Sequence, residues 1–159
     1  MENKAKYPLI FSVVIVVLAG LSAAFLAGTG AGLSGFGVAS IGIFYPNGTE
    51  MAHGNVYVAN TIAQQARGFQ NAPKIGDCNG KGNCVGMLFI FNSTQQQCMW
   101  MHDTVMPLEQ EWIAANGTVI GIHHGEPLSS NVTCFYARYV LETNATAGIA
   151  TGYGIRFAQ

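Results

Sequence analysis

The stretch Glu109–His124, EQEWIAANGTVIGIHH, contains the strongest strand signal in the sequence. Two runs rich in apolar residues flank Asn116-Gly117, a pair that favours a two-residue type I′ hairpin turn. Directly opposed residues of a hairpin share one face of the sheet. A two-residue loop pairs Ala115 with Thr118, Ile113 with Ile120, Glu111 with Ile122 and Glu109 with His124. The stretch therefore predicts an antiparallel sheet in which Glu109 meets His124.

Further strand signals precede and follow this hairpin. They lie at 56–58, 86–91, 98–103, 136–142 and 154–157. Thr61 and Gln64 have the spacing of a capping box and Gly68 is a natural stop, so 60–68 predicts a short helix. A second short helix is predicted at 144–151. We expect a mainly β (α+β) domain, a small and mainly antiparallel β-barrel or sandwich with two short helices.

The N-terminal end has a different composition. Lys4 and Lys6 precede nineteen uncharged residues, 9–27, which as a helix would cross a hydrocarbon core about 30 Å thick. The positive-inside rule then places the rest of the chain outside. Range 1–27 is thus predicted as a transmembrane anchor that binds the membrane, or alternatively as a cleaved signal segment. Range 28–44 is predicted as a Gly-rich spacer and 45–159 as the extracytoplasmic domain.

Charge excludes one class of partner. Charged residues make up 9% of the chain and the net charge is −1, against roughly 25% charged residues in a typical soluble protein. Basic runs interleaved with aromatic residues, which mark nucleic-acid binding, are missing from the sequence. We expect no nucleic-acid partner.

Cysteines and sequons agree with export. Of the three possible pairings of four cysteines, Cys78–Cys84 and Cys98–Cys134 are favoured, because one closes a local loop and the other joins two strand segments. A zinc site is disfavoured, since no pair has the C-x₂₋₄-C spacing. Asn-x-Thr acceptor sequences for N-glycosylation occur at Asn47, Asn92, Asn116, Asn131 and Asn144.

The best polar cluster that the sequence offers combines His102, Asp103, Glu109 and His124. An imidazole beside carboxylates is able to bind a metal ion or to act as acid and base, and a salt-bridged surface patch is the alternative. Arg67 at a helix end and Glu142 on a strand are further candidates for binding. Arg138 lies four residues before Glu142 on the same strand face, so a structural ion pair is an equally good explanation.

Four blocks carry a family resemblance: ANTIAQQARGF, GMLFIF, CMWMHDTVMPLEQEWIAANGTVIGI and ARYVLETNATAG. In this order, across 55–158, they resemble the family known as domain of unknown function 192. Two features depart from the family pattern: His102-Asp103 replaces Lys-Asn, and a cysteine-bracketed insertion follows Phe69. The resemblance implies a small β-rich fold, often exported, and implies no activity.

The sequence therefore predicts a non-catalytic, glycosylated and disulfide-stabilised domain at the cell surface, with a binding or structural role and no cofactor. Self-association or a surface protein partner fits this role. One alternative is a filament subunit with a pilin-like N-terminal helix. The other is a metal-binding protein or metal-dependent enzyme that uses His102, Asp103, Glu109 and His124.

Overall fold

The computed structural model describes residues 33–157. These residues form one sheet of seven strands and one short helix. In chain order they are β1 (Gly37–Phe44), β2 (Glu50–Ala59), α1 (Ile62–Arg67), β3 (Cys84–Met99), β4 (Leu108–Ile113), β5 (Val119–Gly125), β6 (Thr133–Asn144) and β7 (Gly154–Phe157). The strand order in the sheet is β5-β4-β6-β3-β2-β1-β7.

The sheet curls until its two edge strands meet. Thr118, just before β5, forms a bridge with Gly154 at the start of β7. Beside this bridge the amide of Val119 donates to the carbonyl of Tyr153 over 2.8 Å, and the amide of Ile155 donates to the carbonyl of Gly117 over 2.8 Å. The result is a curled half-barrel whose edges are joined at one end.

One strand pair is parallel. β2 and β3 run in the same direction, so the chain must cross over between them, and α1 lies in this crossover. Thr61 caps α1 by accepting a hydrogen bond from the amide of Gln64, whose side chain bonds back to the amide of Thr61. The predicted capping box is therefore present and fixes where the crossover helix begins.

The sheet has an apolar cluster on each face. One cluster takes a residue from every strand, among them Ile41, Val56, Leu88 and Ile113, and therefore fills the concave side of the curl. The other joins Trp112 and Phe89 to the crossover residues Phe69 and Ala72. Burial of each such large side chain stabilises the fold by about 1.5–3 kcal/mol.

Several expectations require correction. β3 is one long strand, and the predicted strand at 98–103 ends at Met99. Within residues 33–157 there is one helix, and the second helix predicted at 144–151 is not formed. Backbone amides of 145–153 instead form hydrogen bonds within turns and with Val119. The predicted spacer is wrong for 37–44, which forms β1 between β2 and β7 because Ile41 and Ile43 are buried.

The hairpin turn also differs from the prediction. Asn116 lacks the positive φ that a type I′ turn requires, whereas Gly117 has φ 88°. The amide of Gly117 donates to the carbonyl of Ala114 over 2.9 Å, so the loop has three residues. The expected pairings of Ala115 with Thr118 and of Ile113 with Ile120 are therefore wrong. Ile120 forms a bulge that shifts the pairing register by one residue. Beyond it, Glu111 lies opposite Ile122 and Glu109 lies opposite His124, as predicted.

The predicted N-terminal anchor, 1–27, lies outside the described residues. Within residues 33–157, no helix has the length and apolar character needed to span a membrane.

Candidate functional site

The end of the β4–β5 hairpin away from its turn places an imidazole between two carboxylates. His124 lies opposite Glu109, and its Nδ1 is 3.1 Å from Oε1 of Glu109. Its Nε2 is 3.4 Å from Oε1 of Glu126. Because the two carboxylates approach opposite nitrogens of one ring, they are not arranged to share a metal ion with it.

His102 and Asp103 form a separate pair in the loop that follows β3. Nδ1 of His102 is 3.0 Å from Oδ2 of Asp103, and the imidazole stacks on the indole of Trp100 with ring centroids 4.8 Å apart. Across residues 33–157, no three His, Cys, Asp or Glu side chains form a group able to hold a metal ion. The four predicted residues thus lie in two pairs, and the joint site expected from the sequence is not formed.

Glu142 is buried on the sheet face that the crossover covers. On β6 it lies opposite Gln110 of β4 and Met87 of β3. Nε2 of Gln110 donates to Oε1 of Glu142 over 3.1 Å. Burial raises the pKa of Glu142 to about 7, although the hydrogen bond from Gln110 opposes this shift. The carboxyl of Glu142 therefore keeps its proton to a higher pH than an exposed glutamate does.

The expected ion pair between Arg138 and Glu142 is wrong. Four residues of an extended strand span about 13 Å, which is too far for the two side chains to pair. The guanidinium of Arg138 instead lies 5.7 Å from the ring centroid of Tyr139.

Glu111 is a second buried acid and lies on the opposite, concave face. It is fully buried, and the hydroxyl of Thr143 donates to its Oε1 over 2.7 Å. Burial raises the pKa of Glu111 well above its usual value, the Thr143 hydrogen bond lowers it, and the nearby Glu109 and Glu142 raise it further. Its Oε2 has no hydrogen-bond partner within residues 33–157.

Sequence reasoning passed over Glu111, Gln110 and Thr143. A signal for Glu111 was present, because the predicted hairpin placed it opposite Ile122, two residues from Ile113 on the same face. Burial of Gln110 had no comparable signal, since the crossover that covers its face comes from a distant part of the chain.

Arg67 holds the segment that precedes β1. It is the last residue of α1, and its Nη1 donates to the carbonyl of Ser34 over 3.0 Å. Its guanidinium also lies 5.2 Å from the ring centroid of Phe36. These contacts serve the packing of residues 33–36 against the helix end.

Both disulfides have the pairing that the sequence favoured. Cys78–Cys84 closes a loop with a sequence separation of 6, and Cys98–Cys134 joins residues 36 apart. Cys98 and Cys134 lie directly opposite on β3 and β6. Since no cysteine is left free, a thiol nucleophile is excluded. Two disulfides indicate an oxidising, extracytoplasmic environment.

The sequon asparagines differ from Asn55, Asn79 and Asn83 in how their side-chain amides are used. All five sequon asparagines are exposed. Three of them hydrogen-bond only through the oxygen, to the threonine of the same sequon: Asn47 with Thr49 N at 3.0 Å, Asn116 with Thr118 N at 3.0 Å and Asn144 with Thr146 Oγ1 at 3.5 Å. Within residues 33–157 no sequon asparagine donates a hydrogen bond from Nδ2.

Three of the five asparagines outside the sequons in residues 33–157 use Nδ2 to build the fold, whereas Nδ2 of Asn60 and Nδ2 of Asn71 donate no hydrogen bond there. Asn55 donates to the carbonyl of Gly82 over 2.9 Å. Asn79 donates to Phe36 O over 3.1 Å, and Asn83 donates to His53 O over 2.9 Å. These bonds attach the Cys78–Cys84 loop to the start of β1 and to β2.

Two shallow clefts on the surface each border a sequon asparagine. The first, of about 200 Å³, is lined by Asn116, Tyr139, Ile155, Arg156 and Phe157 together with the hairpin tip. The second, of about 210 Å³, is lined by Pro73, Lys74, Ile75, Met106, Pro107 and Asn144. Neither cleft contains the buried carboxyl of Glu111 or Glu142 in its lining.

The fold and these sites define a disulfide-bonded β half-barrel with no metal-ligand group in its described part. The model of the family described as DUF192, Uncharacterized ACR, matches residues 45–157. The chain belongs to this family, and the resemblance stated from the sequence is confirmed.

Two solved structures have a similar fold. One, from Sinorhizobium meliloti 1021, is described as a "putative transcription regulator"; it has a TM-score of 0.68 and 26% identity, covering 77% of this chain and 95% of that one. Another, a protein of unknown function from Novosphingobium aromaticivorans DSM 12444, has a TM-score of 0.65 and 23% identity, covering 82% and 93%. No curated protein shows significant similarity to the chain.

Proposed function

We propose that this chain is a non-catalytic, N-glycosylated domain that is held at the outer surface of a membrane and serves in binding or structural interaction there. The observation that carries the proposal is that, within residues 33–157, all five sequon asparagines are exposed and none donates a hydrogen bond from Nδ2. Nδ2 is the atom to which an N-glycan is joined. It is engaged in the fold at Asn55, Asn79 and Asn83 and accessible at the sequons.

Glycosylation at these positions is chemically direct. In the transfer, Nδ2 forms a bond to C1 of a sugar carried on a lipid-linked phosphate donor. The bond between C1 and the phosphate oxygen breaks, its electron pair leaves with the phosphate, and Nδ2 gives up one proton to a base. At Asn47 and Asn116 the amide oxygen accepts a bond from the sequon threonine, and Nδ2 is left without a hydrogen bond to residues 33–157.

A non-catalytic role is supported by what the polar groups contact. Glu142 pairs with Gln110, Glu111 pairs with Thr143, and both nitrogens of His124 face carboxylates. Each of these side chains thus has at least one structural partner, although Oε2 of Glu111 has none within residues 33–157. The regulator description of the S. meliloti relative is not carried over, because a net charge of −1 and two disulfides are unsuited to contact with intracellular nucleic acid.

A filament subunit is the alternative from another class. It rests on residues 1–27, which lie outside the described part of the chain. In a filament, 37–44 could pair with a neighbouring subunit as an added strand. The structure does not favour this, because β1 is already hydrogen-bonded on both sides, to β2 and to β7. Electron microscopy of detached surface material separates the two ideas, since the proposed domain yields no filaments that contain this chain.

Glycopeptide mass spectrometry of the protein purified from its own cells tests the proposal. We expect sugar on Asn47 and Asn116 at least, both disulfides intact without reducing agent, and digestion of the domain by protease added to whole cells. A chain that resists protease on intact cells, carries no sugar at any sequon and has reduced cysteines would overturn the proposal.

A further inference from the structure

We propose that the first sugar of an N-glycan on Asn116 packs into the cleft between the hairpin tip and β7, and that it thereby braces the contact that closes the half-barrel. This inference rests on the glycosylation proposed above. It goes further than that proposal in two respects. It places the first sugar on Asn116 in this cleft, and it gives that glycan a role in stabilising the closed half-barrel.

Asn116 is oriented towards this use. It stands at the tip of the β4–β5 hairpin and forms part of the cleft wall. The hydrogen bond from the amide of Thr118 to its Oδ1 holds the side chain against the turn, so the direction of Nδ2 is set by the fold. A sugar joined there is tethered at the rim of the cleft and needs little additional ordering to enter it.

The cleft has the chemistry that a pyranose ring requires. Tyr139 and Phe157 line it, with ring centroids 4.9 Å apart and planes at 79°. The C–H groups on one face of a sugar are apolar and pack well on the electron-rich face of an aromatic ring. Arg156, stacked on Phe44 at 3.9 Å, supplies guanidinium donors for hydroxyl groups at the rim.

The cleft lies where the two edges of the sheet meet, so a sugar bound in it affects how firmly the half-barrel is closed. The hairpin tip and β7 are the two edges of the curled sheet, and they meet through a few backbone hydrogen bonds around Gly117 and Ile155. A sugar attached to Asn116 and packed on Phe157 would contact both edges at once. Opening of the half-barrel then requires the loss of that contact as well, so the glycan stabilises the closed form.

A second sequon asparagine, Asn144, also borders a cleft. It lines the second cleft beside Pro73, Ile75 and Met106, so a sugar there would join the end of β6 to the crossover loop. Asn47 provides a matched control, because it has the same hydrogen bond to its sequon threonine and lines neither cleft.

The test compares full-length protein from glycosylating cells with protein secreted by a host that lacks N-glycosylation. Asn116→Gln is introduced in both, and Asn47→Gln serves as the control. We expect Asn116→Gln to lower Tm by about 2–4 °C more in the glycosylated protein than in the unglycosylated protein. Asn47→Gln should shift both forms equally. This double difference removes any effect of the substitution on the turn itself.

Contact is measured directly by NMR with ¹³C-labelled sugars. We expect nuclear Overhauser effects from the first sugar on Asn116 to the rings of Tyr139 and Phe157, and none from the sugar on Asn47. Sugar present on Asn116 without these effects and without the additional Tm loss would overturn the inference and leave glycosylation standing. Mass spectrometry that finds Asn116 bare while other sequons carry sugar would also overturn it. Absence of sugar from every sequon overturns the proposed function itself.

Discussion

The side chain of Gln110 donates a hydrogen bond to Glu142 over 3.1 Å, and both residues are buried beneath the crossover between β2 and β3. A neutral amide is thus the partner of a carboxyl whose pKa rises to about 7. This pairing makes the stability of the domain sensitive to pH, because the folded state holds a proton that the unfolded chain releases near its usual value of 4.5.

Glu142→Gln should remove the part of that sensitivity to which Glu142 contributes, and the buried acid Glu111 should retain its own part. With a folded pKa above the unfolded one, the carboxyl binds more protons in the folded state, so the free energy of unfolding falls as pH rises from about 4.5 to about 7. A shift of this size corresponds to about 3 kcal/mol. Denaturant titrations at pH 5, 6, 7 and 8 measure it. Glu50→Gln, at an exposed position, is the control that should keep the wild-type slope. An unchanged slope in Glu142→Gln would contradict the assignment.

Thr143→Val should destabilise the fold through Glu111. The substitution keeps the shape of the side chain and removes the hydroxyl that donates to Oε1 of Glu111. A buried acceptor left without its donor costs about 1–3 kcal/mol, so the midpoint of chemical denaturation should fall accordingly. Thr151→Val, at an exposed site outside the sequons, should have little effect. The loss should be present at pH 5 as well as at pH 7, because the buried Oε1 of Glu111 accepts the Thr143 hydrogen bond in either protonation state.

Removal of the Cys98–Cys134 disulfide should cost more stability than removal of Cys78–Cys84. The sequence separations are 36 and 6, and loop-closure entropy predicts a difference of about 1.5 kcal/mol in favour of the longer loop. Double alanine variants, one for each disulfide, are compared by denaturation without reductant. Reduction of the wild-type protein should destabilise it by at least as much as the larger single loss. Equal costs for the two double variants would show that local contacts outweigh chain entropy.

Gly86→Ala should be among the most damaging single substitutions. A Cβ at this position of β3 would overlap the backbone carbonyl of Glu142 on β6, and a backbone atom has little freedom to move aside. Overpacking of this kind costs about 1–3 kcal/mol. Gly37→Ala is a matched control in β1, since its Cβ would meet only the Val58 side chain at an ordinary 3.9 Å. Thermal unfolding of the two variants gives the comparison.

Much of the local strand pairing was predictable from the sequence. One correct prediction, the pairing of Glu109 with His124, holds for a different structural reason from the one expected. Glu109 meets His124 as expected, although the turn has three residues instead of two, because the bulge at Ile120 shifts the register back by one. A glycine after asparagine indicated the turn, but the pair also suits a three-residue loop in which the glycine has a positive φ, as Gly117 does. The pair alone therefore did not decide between the two loop lengths.

The candidate site was less predictable than the fold. His102, Asp103, Glu109 and His124 were grouped because a strand was expected to run from 98 to 103. Since β3 ends at Met99, His102 and Asp103 lie in a loop and pair with one another. The buried acids were hidden for a related reason. Burial of Glu142 depends on which segment covers its face of the sheet, and strand alternation along β6 gives no information on that.

The sequence by itself determined what depends on neighbours in the chain: the cap of α1, the β4–β5 hairpin, the membership in the family and the asparagines able to carry sugar. These features follow from turn residues, side-chain alternation and short motifs. Only the tertiary structure decided that 37–44 joins the sheet between β2 and β7, that Glu111 and Glu142 are shielded from water, and that Asn116 borders a cleft. Each of these depends on the curl of the sheet and the path of the crossover, because both bring together residues that are far apart in the chain.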